Sequence, residues 1–203
     1  MKIYSKLILL VLTVWCISAC TNEDLLSINN ETSKRINLKE TKASHAFPNL
    51  SRIKIDPAVI STMNSAWNKM KQNASSNGRR EYGFYIYYDE ANDRLYCGKL
   101  QEGPNISGCA NTNATLNLQP DDPATFNLKV CAAFHCHTTL TYCPSSTSRV
   151  TGPSQADIDW ANTRNIPGLI YDYSTSKITG GHNINSSYKL YTFGVNQRPN
   201  IIY

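Results

Sequence analysis

"AAFHCHTTLTYCPSSTSRVTGPSQADIDWA", residues 132–161, joins the end of one regular element to the start of another. Its first residues complete "FNLKVCAAFHCH" (126–137), an apolar run of strand composition. Its last residues, "PSQADIDWANTR", open a helix at a serine cap, with Ala156, Trp160 and Ala161 expected on the buried side. Side chains alternate along a strand, so His135 and His137 share one face, and Cys136 points away with Phe134 and Ala132. Residues two apart in a strand have Cα atoms roughly 6–7 Å apart, a gap that two imidazoles can close around one ion. Asp157 falls in the first turn of the helix, three residues after Ser154. A strand end and a helix start commonly meet at one edge of a layered domain, which would let Asp157 supply a third ligand. Two imidazoles and one carboxylate leave a fourth position open to water, the composition of a catalytic zinc site. The competing reading is a pair of packing or surface histidines.

The segments on either side set the fold class. Asp56-Pro57 places a capping carboxylate before a proline at the first helical position. Val59, Ile60, Met63, Ala66, Trp67 and Met70 then recur at helical spacing as one core-facing stripe, with Gly78 closing the run. "EYGFYIYYDEANDRLYCGKL" (81–100) reads as a hairpin turning at Asp89 to Asp93. Tyr82, Tyr85, Tyr87 and Tyr88 are expected to divide between packing and a half-exposed sheet face. "GLIYDYSTSKITGGH" and "YKLYTFGV" read as closing strands. Helix, strands, helix and strands together predict an α+β layered domain, without internal repeats.

The N-terminus concerns location. Lys2 and Lys6 precede "LILLVLTVW" (7–15), an apolar run of roughly 10 residues, against the 20 or so that a membrane-spanning helix needs. "ISAC" then places small residues before Cys20, which resembles the lipobox of bacterial lipoproteins. The organisation expected is a signal peptide over 1–19, a flexible polar tether over 20–50 from a lipidated Cys20, and one domain over 51–203, with order setting in at Asp56. Such a chain would be lipid-anchored in the bacterial outer membrane, facing the periplasm or the cell surface. Losing Lys2 and Lys6 with the signal lowers the net charge from +5 to +3. That charge, and the lack of a basic run with interleaved aromatics, argues against nucleic acid as a partner. Setting aside Cys16 and Cys20 leaves Cys97, Cys109, Cys131, Cys136 and Cys143 in a disulfide-permissive compartment. Short loops favour the pairs Cys97–Cys109 and Cys136–Cys143, with Cys131 buried and free.

Glu81 on an earlier strand, then His135-x-His137, then Ser154-x-x-Asp157, resembles the JAMM motif of the JAB1/MPN metallopeptidase superfamily. The "REYGFYIYYDEANDRLYCGKL" opening and the "FHCHTT…GPSQADIDWA…IPGLIYD" sequel resemble bacterial secreted JAB-related domains over about residues 56–195. The resemblance implies a JAB/MPN-like (cytidine-deaminase-like) layered sheet with flanking helices. It implies Zn²⁺ on His135, His137 and Asp157, and Glu81 moving a proton from the attacking water to the leaving amine. Ser154 would hydrogen-bond the developing oxyanion. Glu90 and Glu102 compete with Glu81 for the role of base, whereas His182 reads as a turn residue. Two features depart from the family: Thr138 stands where a proline is usual, and the spacer 138–153 is about twice the customary length. A Cys136–Cys143 bridge would staple that insertion near the metal, where it could form a lid, shape specificity or block the site.

The function expected is therefore a zinc-dependent hydrolase of peptide or isopeptide bonds in a protein or peptide substrate, working outside the cytoplasm. The alternative is a catalytically silent binding module of the cell envelope on the same scaffold. Thiol chemistry at Cys131 or Cys136 is a weaker reading, because both lie on a strand rather than at a helix N-terminus. A serine hydrolase is weaker still, since no Gly-x-Ser-x-Gly elbow occurs.

Overall fold

Eight consecutive residues, Tyr82–Asp89, form β1, the strand around which the sheet is built. The structure, a computed structural model, describes residues 46–109, 114–121 and 128–200. The expected signal peptide, Cys16, Cys20 and the tether up to residue 45 lie outside the described residues. β1 turns through Asp89, whose Oδ1 accepts from the Ala91 and Asn92 amides at 2.9 and 3.2 Å, into β2 (Arg94–Cys97). This is the hairpin expected from sequence. β3 (Gln101–Glu102) continues along the same edge of β1, opposite Tyr82 and Gly83. β4 (Lys129–Cys136) lies antiparallel on the other side of β1, and β6 (Gly168–Tyr173) lies parallel to β4. β8 (Tyr188–Phe193) closes the sheet, antiparallel to β6. The strand order is β2-β1-β4-β6-β8, and β5 (Ser148–Val150) with β7 (Lys177–Thr179) forms a separate antiparallel pair.

Among the described residues three helices accompany the strands: α1 (Leu50–Ile53), α2 (Pro57–Asn73) and α3 (Gln155–Arg164). α2 starts where the Asp56-Pro57 pair predicts, with Asp56 Oδ1 accepting from the Ala58 and Val59 amides at 2.9 and 3.1 Å. Its stripe of Val59, Met63, Ala66, Trp67 and Met70 is buried against Phe84, Ile86, Phe134, Cys136 and Tyr173 of the sheet. The chain is thus α+β and mostly antiparallel. Among the described residues no helix is long and apolar enough to cross a membrane.

Four local expectations need correction. Order sets in before residue 51 and before Asp56, because Phe47 is buried against Tyr88 and Ile53 is fully buried in the core. Gly78 lies beyond the end of α2, which stops at Asn73. Ala156 is exposed, while Ala161 is buried as expected. None of Tyr82, Tyr85, Tyr87 and Tyr88 lies on a half-exposed face. Tyr82 and Tyr88 pack in the α2-side core, whereas Tyr85 and Tyr87 pack with Leu118, Ala133 and Ile166 on the opposite face. β1 is therefore covered on both faces.

Among the described residues a disulfide joins Cys109 to Cys143, and Cys97, Cys131 and Cys136 are free. Neither expected pair forms, although Cys131 is buried and free as anticipated. The reason is facial. Cys136 points at α2, with its Sγ 3.7 Å from the Ala66 carbonyl, and Cys97 likewise meets the Ala58 carbonyl at 3.7 Å.

Candidate metal centre

Sheet register builds the site. Antiparallel pairing sets Gly83 opposite His135 and Tyr82 opposite Cys136, which brings Glu81, one residue before β1, level with His137. Parallel pairing sets Cys136 beside Tyr171, and the His137 amide donates to the Tyr171 carbonyl at 3.1 Å. Asp172 is thereby next to His137. Because β4 and β6 run parallel, the chain must cross back between them, and α3 makes that return. The N-terminus of α3 consequently stands at the C-terminal end of β4, where the histidines are. Ligand sites in sheets with parallel strands favour this end.

α3 begins with a reciprocal cap. Ser154 Oγ accepts from the Asp157 amide at 3.2 Å, and Asp157 Oδ2 accepts from the Ser154 amide at 2.7 Å. The cap aims the Asp157 carboxylate at the strand end, with Oδ1 3.3 Å from His135 Nε2 and Oδ2 3.4 Å from His137 Nε2. The imidazole rings are 5.1 Å apart between centroids. Glu81, 6% exposed, brings a carboxylate oxygen to the same place. One ligand atom from each of Glu81, His135 and His137 lies within 4.8 Å of the other two. These three residues could hold a metal ion. Gly83 makes the approach possible, because a Cβ there would meet His135 Cβ at 2.9 Å and collide with the Phe134 carbonyl.

The electrostatics are those of a strongly coupled charge cluster. Burial opposes ionisation of Asp157, but hydrogen bonds from His135, His137 and Ser154 hold its carboxyl well below the usual carboxylate range. Burial also opposes protonation of His137. Its hydrogen bonds to Asp157 and Asp172, with the nearby Glu81 charge, outweigh that and raise it to about 9.

Each residue expected in the site is accounted for. Glu81, His135, His137, Asp157 and Ser154 are brought together. The Ser154 hydroxyl also donates to Asp157 Oδ2 at 2.6 Å, so as it stands it serves the carboxylate. Glu90 and Glu102 are elsewhere, paired on the surface with Lys129 and Arg80, both at 2.7 Å. His182 is a turn residue, with Nδ1 on the Thr179 carbonyl at 2.9 Å. Thiol chemistry loses its basis, because burial pushes Cys131 up to about 12 and raises Cys136 even further.

The cluster opens into a cleft of about 730 Å³ whose lining includes Arg79, Leu116, Leu118 and Trp160. The 138–153 insertion walls this cleft: β5 pairs with β7, and residues 147–153 are part of its lining. Its bridge runs from Cys143 to Cys109, not to Cys136.

Sequence reading missed Asp172. It is fully buried, and its Oδ2 accepts from His137 Nδ1 at 3.0 Å. Its one signal was a lone aspartate inside "GLIYDY", where every neighbour is apolar or aromatic.

No family model, no curated protein and no solved structure matches this chain.

Proposed function

We propose that the cleft is the active site of a JAMM-type, zinc-dependent hydrolase of peptide or isopeptide bonds, built on a JAB/MPN-like scaffold. The observation that carries this reading is the convergence of two imidazole Nε2 atoms on one helix-start carboxylate, with the buried Glu81 beside them. The donor set fits zinc: nitrogen and oxygen ligands, no thiolate, and an open cleft in front. His135, His137 and Asp157 would hold the ion, which when bound supplies a Lewis acid and lowers the pKa of water to near 7.

Glu81, although within ligand reach of both histidines, would on this reading move protons in place of binding the ion. A carboxylate beside the ion takes a proton from the attacking water and returns it to the amine nitrogen, which leaves poorly unless protonated. Ser154 would turn its hydroxyl from Asp157 toward the developing oxyanion, a contact worth roughly 3–4 kcal/mol in comparable hydrolases. The Cys109–Cys143 bridge supports work outside the cytoplasm. With the lipobox-like "ISAC" it supports a lipid-anchored place in the bacterial envelope.

One observation favours the second reading, a catalytically silent envelope binding module. The Ser154 hydroxyl, the expected oxyanion donor, is already engaged by Asp157 at 2.6 Å.

Zinc analysis of protein purified without chelators tests the first reading. About one zinc per chain is expected, lost in His135→Ala and Asp157→Ala. Metal-free native protein would end the proposal. Glu81→Gln should keep the zinc and lose on the order of 10²–10⁴ in hydrolysis of a peptide mixture followed by mass spectrometry. Zinc-loaded wild type that cuts nothing in that mixture would shift the case to the silent module.

A further inference from the structure

Asp172 is an expensive residue to keep where it is. It is fully buried in β6, and burying a carboxylate costs several kcal/mol unless its oxygens are paired. The pairing here is complete and comes from two directions. From the sheet, Oδ1 accepts from the Tyr173 amide at 2.8 Å, and Oδ2 from His137 Nδ1 at 3.0 Å. From the insertion, Arg149 grips both oxygens, its two terminal nitrogens at 2.6 and 2.7 Å, and the Gly152 amide adds a bond at 2.9 Å. Arg149 also donates to the Thr138 carbonyl at 2.9 Å, which ties the clamp to the residue following His137.

The direction of these bonds has a consequence at the histidine. An ionised carboxylate only accepts, so a neutral His137 facing Asp172 must carry its proton on Nδ1. Nε2 is then left with its lone pair, and Nε2 is the atom that faces Asp157. A bidentate guanidinium clamp stops the carboxylate from rotating.

We infer that Arg149, supplied by the 138–153 insertion, is a positioning residue of the metal centre: through Asp172 it fixes the tautomer and orientation of His137. The insertion is then a buttress for the site, neither a lid nor a plug. The inference rests on the proposed metal centre, and the experiment separates the two.

Zinc affinity is measured by competition against a chromophoric chelator for wild type, Arg149→Gln and Arg149→Lys. Visible spectra of the Co²⁺-loaded proteins and the unfolding midpoints of the metal-free proteins are recorded in parallel. Loss of an outer partner of a metal-bound histidine typically weakens binding on the order of 10- to 100-fold, and Arg149→Gln should fall in that range with an altered Co²⁺ spectrum. Arg149→Lys, which keeps the charge but not the fork, should recover part of the loss. A lowered unfolding midpoint with unchanged zinc affinity and spectrum would show a structural role only and overturn the inference. Should Arg149→Gln not fold, nitrogen-resolved NMR of the zinc-loaded wild type decides: a protonated His137 Nδ1 is expected, and a protonated Nε2 overturns the inference. Wild type that takes no zinc at all removes the metal centre, and this inference with it. Equal affinity in wild type and variant removes this inference alone.

Discussion

Two carboxylates grip one imidazole at His137, Asp157 from the helix start and Asp172 from the neighbouring strand. The result is a pKa raised from 6.5 to about 9. A raised value means that the folded chain binds this proton more tightly than the unfolded chain does. The stability it contributes to the metal-free fold is fully present below about 6.5 and is lost as pH rises through about 9. A metal must displace the same proton, so zinc affinity should climb about tenfold per pH unit up to about 9 and then level off. Zinc competition titrations at stepped pH check this, and a flat profile across that window would contradict it. The shared face of His135 and His137 and the capping-box place of Asp157 were legible in the sequence, because alternation along a strand and the spacing of a capping box are local rules, whereas Glu81 entered only through a resemblance. Asp172 and Arg149 were not legible. Their roles depend on β6 lying beside β4 and on the insertion folding back, and neither shows in the spacing of any motif.

The decisive pair of elements is β1 against β4. Glu81 reaches the histidines because the antiparallel register holds from Phe84 opposite Phe134 down to Tyr82 opposite Cys136. Gly83 permits that register to carry a histidine. An added methyl would meet Leu116 Cδ2 at 2.6 Å and His135 Cβ at 2.9 Å, and the carbonyl that it would also strike is backbone. Gly83→Ala should therefore cost about 1–3 kcal/mol by overpacking. It should also weaken zinc binding, because His135 is one of the groups displaced. Urea unfolding with zinc stoichiometry on the folded fraction tests both parts; a stable variant with full zinc would show that the contact relaxes cheaply. The hairpin, both long helices and the closing strands were readable in advance from their caps and periodicity. The parallel pairing of β4 with β6 was not, although it is what delivers the α3 N-terminus to the strand end.

Over the whole molecule, the sheet separates a structural face from a chemical one. On the first, Trp67 is 1% exposed and lies among Tyr171, Tyr173 and Tyr188, with ring centroids 6.4, 5.1 and 4.8 Å away. On the second lie the cleft and its histidines. Trp67→Ala should accordingly cost about 3–5 kcal/mol of stability while the molecules that remain folded keep their zinc. Denaturant midpoints and metal analysis of the folded fraction measure the two effects separately, and zinc loss without unfolding would mean that the faces are coupled. The α+β class, the shared face of His135 and His137 and the place of Asp157 in a capping box followed from neighbours within a few residues, because strand alternation, helical periodicity and capping act over that range. Which cysteines join, what stands behind His137 and where the insertion goes depended on contacts between residues 23 to 35 positions apart. Such contacts form only when packing both faces of the sheet brings distant segments together, and no local preference encodes them.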